Sequence, residues 1–134
     1  MDQKALLELL LHEFRTNLPQ TSQLIPRNII IPDIKNKINV LIGMRRVGKS
    51  SLLFQIILAL IQENIPINSI LYLNFEDDRI LPCDQKTFAG LIESFYQLFP
   101  ENHQQKVYLF VDEIQNVDGW QQVILLNFAA FNGL

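Results

Sequence analysis

Apolar positions along the chain fall into two rhythms. Between residue 2 and about residue 17, Leu6, Leu7, Leu10, Leu11 and Phe14 recur at helical spacing on one broad face. The stretch therefore predicts an amphipathic helix. Pro19 and the polar run Gln20 to Gln23 then break the pattern. This helix reads either as an appended arm or as a lid packed on the core, coverage of the core being the ordinary use of such a face. From Ile38 the rhythm changes. Ile38-Asn39-Val40-Leu41-Ile42 is a short apolar run with β-branched residues, bounded by Gly43, and predicts a buried strand. Lys49 to about Gln62 is apolar almost all round (Leu52, Leu53, Ile56, Ile57, Leu60, Ile61), as a helix covered on most sides would be, and Asn64 and Pro66 end it.

The same alternation repeats downstream. Ser69 to Phe75 predicts a second strand, about Asp84 to Phe99 a helix closed by Pro100, and Lys106 to Val111 a third strand. A last helical stretch begins near Trp120 and runs to the end. Strands that are apolar without alternation, separated by helices, indicate a parallel sheet covered on both faces. The order β-α-β-α-β-α implies right-handed crossovers and a three-layer α/β domain. Internal repeats and low-complexity linkers are absent from the sequence.

Composition narrows the class without choosing a function. The chain has 134 residues, of which 49% are apolar and 19% charged, enough for one compact core and without a disorder signature. Net charge is −3 with Lys and Arg scattered, which argues against a dominant nucleic-acid surface. Cys83 stands alone, so no internal disulfide forms and a reducing compartment is expected. No signal-peptide pattern opens the chain, and no run approaches the roughly 20 apolar residues of a membrane span. The sequence thus reads as that of a soluble cytoplasmic protein. His12 and His103 have no partner at ligand spacing, which argues against zinc.

The strongest chemical signal is the stretch Gly43-Met44-Arg45-Arg46-Val47-Gly48-Lys49-Ser50. It fits the Walker A pattern of Gly, four residues, then Gly-Lys-Ser/Thr. The glycines let the backbone turn tightly, so that successive N–H groups converge on phosphate oxygens. Lys49 sets an ammonium beside the β and γ phosphates, and Ser50 offers a hydroxyl to magnesium. The helix that starts there, through Ser51, points its positive end at the anion. Chance would produce this pattern in about half a per cent of chains this long. Its place between a predicted strand and a predicted helix is the one that phosphate binding requires.

A second acidic site follows the third strand. Val107 to Val111 leads into Asp112-Glu113, which puts both acids at the carboxyl edge of the sheet, where open α/β folds bind ligands. With a phosphate loop upstream, Asp112 suits the magnesium shell, as in the Walker B arrangement. Glu113 is placed to orient and deprotonate an attacking water. At the end of the second strand, Asn74 precedes Phe75-Glu76-Asp77-Asp78. Two readings stand side by side there. In one, Asn74 bonds Glu113 while Glu76 or Asp77 faces the water shell of the metal; in the other, a polar strand end meets a solvated acidic turn. Trp120, after Gly119, is read as core packing.

Taken together, the loop, Leu71-Tyr72-Leu73-Asn74-Phe75-Glu76-Asp77 and Leu109-Phe110-Val111-Asp112-Glu113-Ile114-Gln115-Asn116-Val117-Asp118-Gly119-Trp120 resemble prokaryotic AAA-type ATPases. The subgroup is the one whose ATPase core is followed by a C-terminal domain of unknown function. The likeness runs from about Arg27 to Trp120. It implies a three-layer α/β/α P-loop NTPase fold, with residues 1–26 an N-terminal helical arm and 27–134 the front part of the ATPase domain. It implies ATP and Mg2+ as ligands, Lys49 and Ser50 on phosphates and metal, Asp112 on the metal, Glu113 on the water and Asn74 as a switch on Glu113. Arg45 and Arg46 are typical of the subgroup. The resemblance also implies further copies of the chain or downstream domains as partners, and names no nucleic-acid or protein client.

Such ATPases are usually far longer. The next strand with its polar sensor residue, the fifth strand and the finishing arginines have no counterpart here, and the sensor strand belongs between the phosphate-loop strand and the Asp112 strand. A gap at the centre of the sheet is therefore expected, as is a truncated or cut product. Two functional readings follow, an ATPase and a nucleotide-binding module without appreciable turnover. A GTPase would want Asn-Lys-x-Asp after the Asp112 strand, and none appears.

Overall fold

A computed structural model describes residues 2–21, 38–43 and 49–125. The loop residues Met44 to Gly48, the side chains of Lys49, Ser50 and Ser51, and residues 126–134 of the expected last helix lie outside this described part.

Six main elements follow one another: α1 (Gln3–Thr21), β1 (Ile38–Gly43), α2 (Lys49–Gln62), β2 (Ile70–Asn74), α3 (Gln85–Leu98) and β3 (Val107–Asp112). A helical turn restarts at Trp120. Strand and helix limits fall within a residue or two of those the apolar runs predict, α1 excepted. That helix continues through Pro19 to Thr21, one turn past the expected break. A proline removes one backbone bond, and the burial of Leu18 directly before it holds the last turn in place. At the other end, the Asp2 carboxylate accepts the Ala5 N–H at 2.7 Å, an N-cap for α1. Asp84 caps α3 in the same way through Thr87 N–H, also at 2.7 Å.

The three described strands form one parallel sheet in the order β1-β3-β2. The expected central gap is absent. β1 pairs directly with β3 from Ile38↔Val107 to Gly43↔Asp112. The physical reason is that two apolar strands lying apart in a core would leave their N–H and C=O groups unpaired, and direct pairing satisfies them.

Side chains of β3 alternate between two helical layers. Val107, Leu109 and Val111 join Leu71 and Leu73 of β2, and Phe75 just beyond it, against Phe88, Leu91, Ile92 and Phe95 of α3. Tyr108 and Phe110 face the other way, with Ile70, against Leu53, Ile57, Leu58 and Leu60 of α2. This is the three-layer arrangement that the non-alternating strands imply. α1 belongs to both layers. Leu7 and Leu11 pack on the α3 side, Phe14 and Leu18 on the α2 side, so the helix straddles the β2 edge of the sheet. Arg15 adds a lateral tie, donating to Asn68 Oδ1 at 2.9 Å with its guanidinium 5.2 Å from the Phe99 ring centroid.

Candidate functional site

Parallel pairing brings the carboxyl ends of all three strands to one edge. The register aligns Gly43, Asp112 and Asn74 in a single row across β1, β3 and β2. α2 starts at Lys49, immediately beyond the loop that leaves β1. The sequence-predicted residues Gly43, Asp112 and Asn74 therefore meet at the edge where Lys49 opens the following helix.

Asp112 is 2% exposed, the one buried acid among the described residues, and it ends a strand that is buried throughout. By alternation it shares the α2 face with Tyr108 and Phe110. The Tyr72 hydroxyl donates to Asp112 Oδ2 at 3.4 Å. Burial, then the neighbouring Asp112 charge, push the Tyr72 hydroxyl far above its ordinary range, so it stays a protonated donor at neutral pH. The ring is held between two helices. It stacks on Phe14 of α1 (5.5 Å, 18°) and lies against Phe54 of α2 (4.9 Å, 42°).

Glu113 leaves the strand abruptly, in the left-handed region at φ 57°, ψ 41°. A residue with a Cβ adopts this conformation at a cost, which surrounding contacts must offset. Here Ile114 and Val117 are both buried. Asn116 donates its backbone N–H to Glu113 O at 3.2 Å and its side-chain amide to Phe75 O at 2.9 Å. The Glu113 carboxylate accepts from the Gln115 side-chain amide.

Asn74 bonds within its own turn. Its Oδ1 accepts the Glu76 N–H at 3.0 Å and its C=O accepts the Asp77 N–H at 3.1 Å, so it shapes the turn after β2 and makes no hydrogen bond to Glu113. Glu76 is exposed. Asp77 is engaged by Arg79, whose guanidinium also pairs with Glu13 of α1. Hydrogen bonds from Arg79 hold both Glu13 and Asp77 below the usual carboxylate range. The acidic turn is thus a charged strap from the β2 edge to α1. Three features escaped the sequence reading: Tyr72 on Asp112, Gln115 on Glu113 and Arg79 between two acids. Only Tyr72 left a signal, since its spacing of two from Asn74 puts both on one face.

The donor chemistry fits magnesium. Mg2+ takes one or two protein carboxylates and completes its shell with phosphate and water. Among the described residues no group of three or more metal-binding side chains occurs, and Asp112 at the row supplies the single carboxylate that such a site needs. Two concavities elsewhere among the described residues suit a nucleotide poorly. A depression of about 1040 Å3 at the start of α3 is lined by Asp78, Asp84 and Asp118 against Lys86 alone, an acidic wall for a phosphate. A cleft of about 170 Å3 between α1 and β2 is smaller than the roughly 300 Å3 at which ligand pockets begin.

No described helix is long and apolar enough to cross a membrane. An uncharacterized protein of Haemophilus influenzae is 41% identical over 96 residues, covering 71% of this chain and 23% of the relative. An uncharacterized protein of Methanocaldococcus jannaschii is 32% identical over 133 residues, covering 98% of this chain and 28% of the relative. The chain thus spans about a quarter of the length of either relative. No solved structure matches it. Residues 35–130 match the family described as AAA domain, with the loop, the β2 end and the Asp112-Glu113 edge inside the match, and the chain belongs to that family.

Proposed function

We propose that the chain binds ATP with Mg2+ through Gly43 to Ser51 and Asp112, and that the same edge hydrolyses ATP in a longer protein. The row of Gly43, Asp112 and Asn74, with α2 opening at Lys49, carries this reading. It brings the strand that feeds the loop directly beside the strand that ends in the acid. The backbone of Met44, Arg45, Arg46, Val47 and Gly48 cradles the phosphates, and Lys49 neutralises the β and γ oxygens. Ser50 and Asp112 would hold the magnesium ion, which when bound offsets phosphate charge. Glu113 orients the attacking water and accepts its proton. Asn74 acts on Glu113 only once it leaves the turn it caps.

For this chain alone we favour binding without appreciable turnover. The observation behind this second reading is Glu113 itself, whose carboxylate is held by Gln115 and not by Asn74. Titration with ATP and Mg2+, followed by phosphate release, separates the two. Binding that Lys49→Ala abolishes, with no steady release, is the expected result. Steady release abolished by Glu113→Gln would refute the binding-only reading. Absence of binding in a folded sample would refute both.

A further inference from the structure

We propose that Tyr72 is a positioning residue for the Asp112 carboxylate, and that its hydroxyl sets how strongly nucleotide binding depends on Mg2+. The proposal rests on the reading of Asp112 as the magnesium carboxylate. A carboxylate turns easily about its Cβ–Cγ bond, and a donor fixed on one oxygen limits that turn. Tyr72 is such a donor, at 3.4 Å from Oδ2. It lies opposite Phe110 in the ladder, one pleat back from the row and on the same face as Asp112. Its own freedom is removed by Phe14 and Phe54, which hold the ring from α1 and α2.

A purely structural role would need only the ring. The core around it is aromatic and aliphatic, and a phenylalanine would fill the same place. The hydroxyl goes instead to the one buried acid among the described residues. Partners that orient metal-binding carboxylates typically change metal affinity by ten- to a hundredfold when removed. Because 3.4 Å is a long bond, the low end applies.

The test is Tyr72→Phe, which keeps the stack and removes the donor. A fluorescent ATP analogue is titrated against the folded chain at graded Mg2+ concentrations and again in EDTA, with Asp112→Asn as the reference for full loss of metal dependence. The half-saturating Mg2+ concentration is expected to rise about tenfold, with affinity in EDTA unchanged. Unchanged or tighter Mg2+ dependence would overturn the role of Tyr72. A Tyr72→Phe chain that loses melting temperature and binds equally weakly in both conditions would also overturn it, assigning the hydroxyl to packing. A wild-type chain whose ATP binding ignores Mg2+ would remove the metal reading of Asp112 itself.

Discussion

Leu7→Ala tests whether α1 is part of the folded unit or hangs from it. Leu7 is 0% exposed and packs in the layer that joins α3 to the sheet. The substitution removes three carbon groups at about 0.8 kcal/mol each, or about 2.4 kcal/mol of transfer free energy. The hole left among Leu7's neighbours raises the cost to about 3–4 kcal/mol, because a packed layer collapses only in part. Leu9→Ala is the internal control. Leu9 lies on the same helix but is 37% exposed, so its truncation is expected to cost within about 0.5 kcal/mol. Urea unfolding followed by circular dichroism reads both, at constant slope if the transition stays two-state. Equal midpoints for the two variants would refute the reasoning, and α1 would then be an arm whose detachment leaves the sheet intact.

Gly119 has φ 75°, a left-handed position that only glycine adopts without strain, so Gly119→Ala is expected to lower stability by about 1–2 kcal/mol in the same urea assay. Burial pushes the Cys83 thiol up to about 11. Alkylation by iodoacetamide at pH 8 is therefore expected to be far slower in the folded chain than in urea, and equal rates would contradict the burial. Arg79 holds Glu13 and Asp77 at depressed values, so the stability they lend is present above the unfolded carboxylate range near pH 4 and falls as pH drops through the folded values. Arg79→Gln should flatten that acid limb of a thermal-melt pH series, and a limb of unchanged slope would sink the strap.

Element limits were legible because burial on both faces writes itself as continuous apolar runs. β3, buried along its whole length, is the clearest case. Partnership was not legible. Nothing in Ile38 to Ile42 says whether its neighbour is Val107 to Val111 or a strand further along the chain, since any apolar strand satisfies the same backbone groups. The expected gap failed for that reason. Pro19 misled because a local rule was outweighed by the burial of Leu18, four residues after Phe14 on the same stripe. At the site, residue types pointed to the carboxyl edge, and the register aligns Gly43, Asp112 and Asn74 there. Hydrogen-bond partners were another matter. An amide such as Asn74 can turn toward a neighbour in sequence or toward one in space, and the turn at Glu76 took it.

The position of α1 also decides where this sheet can grow. A parallel sheet gains strands only along an open edge, and α1 straddles the one at β2. Among the described residues that leaves β1 as the accepting side. A strand added there, whether from the same polypeptide or from another, would lie against Ile38–Gly43. Assembly would then be felt first at β1, whose Gly43 stands in the row with Asp112 and Asn74.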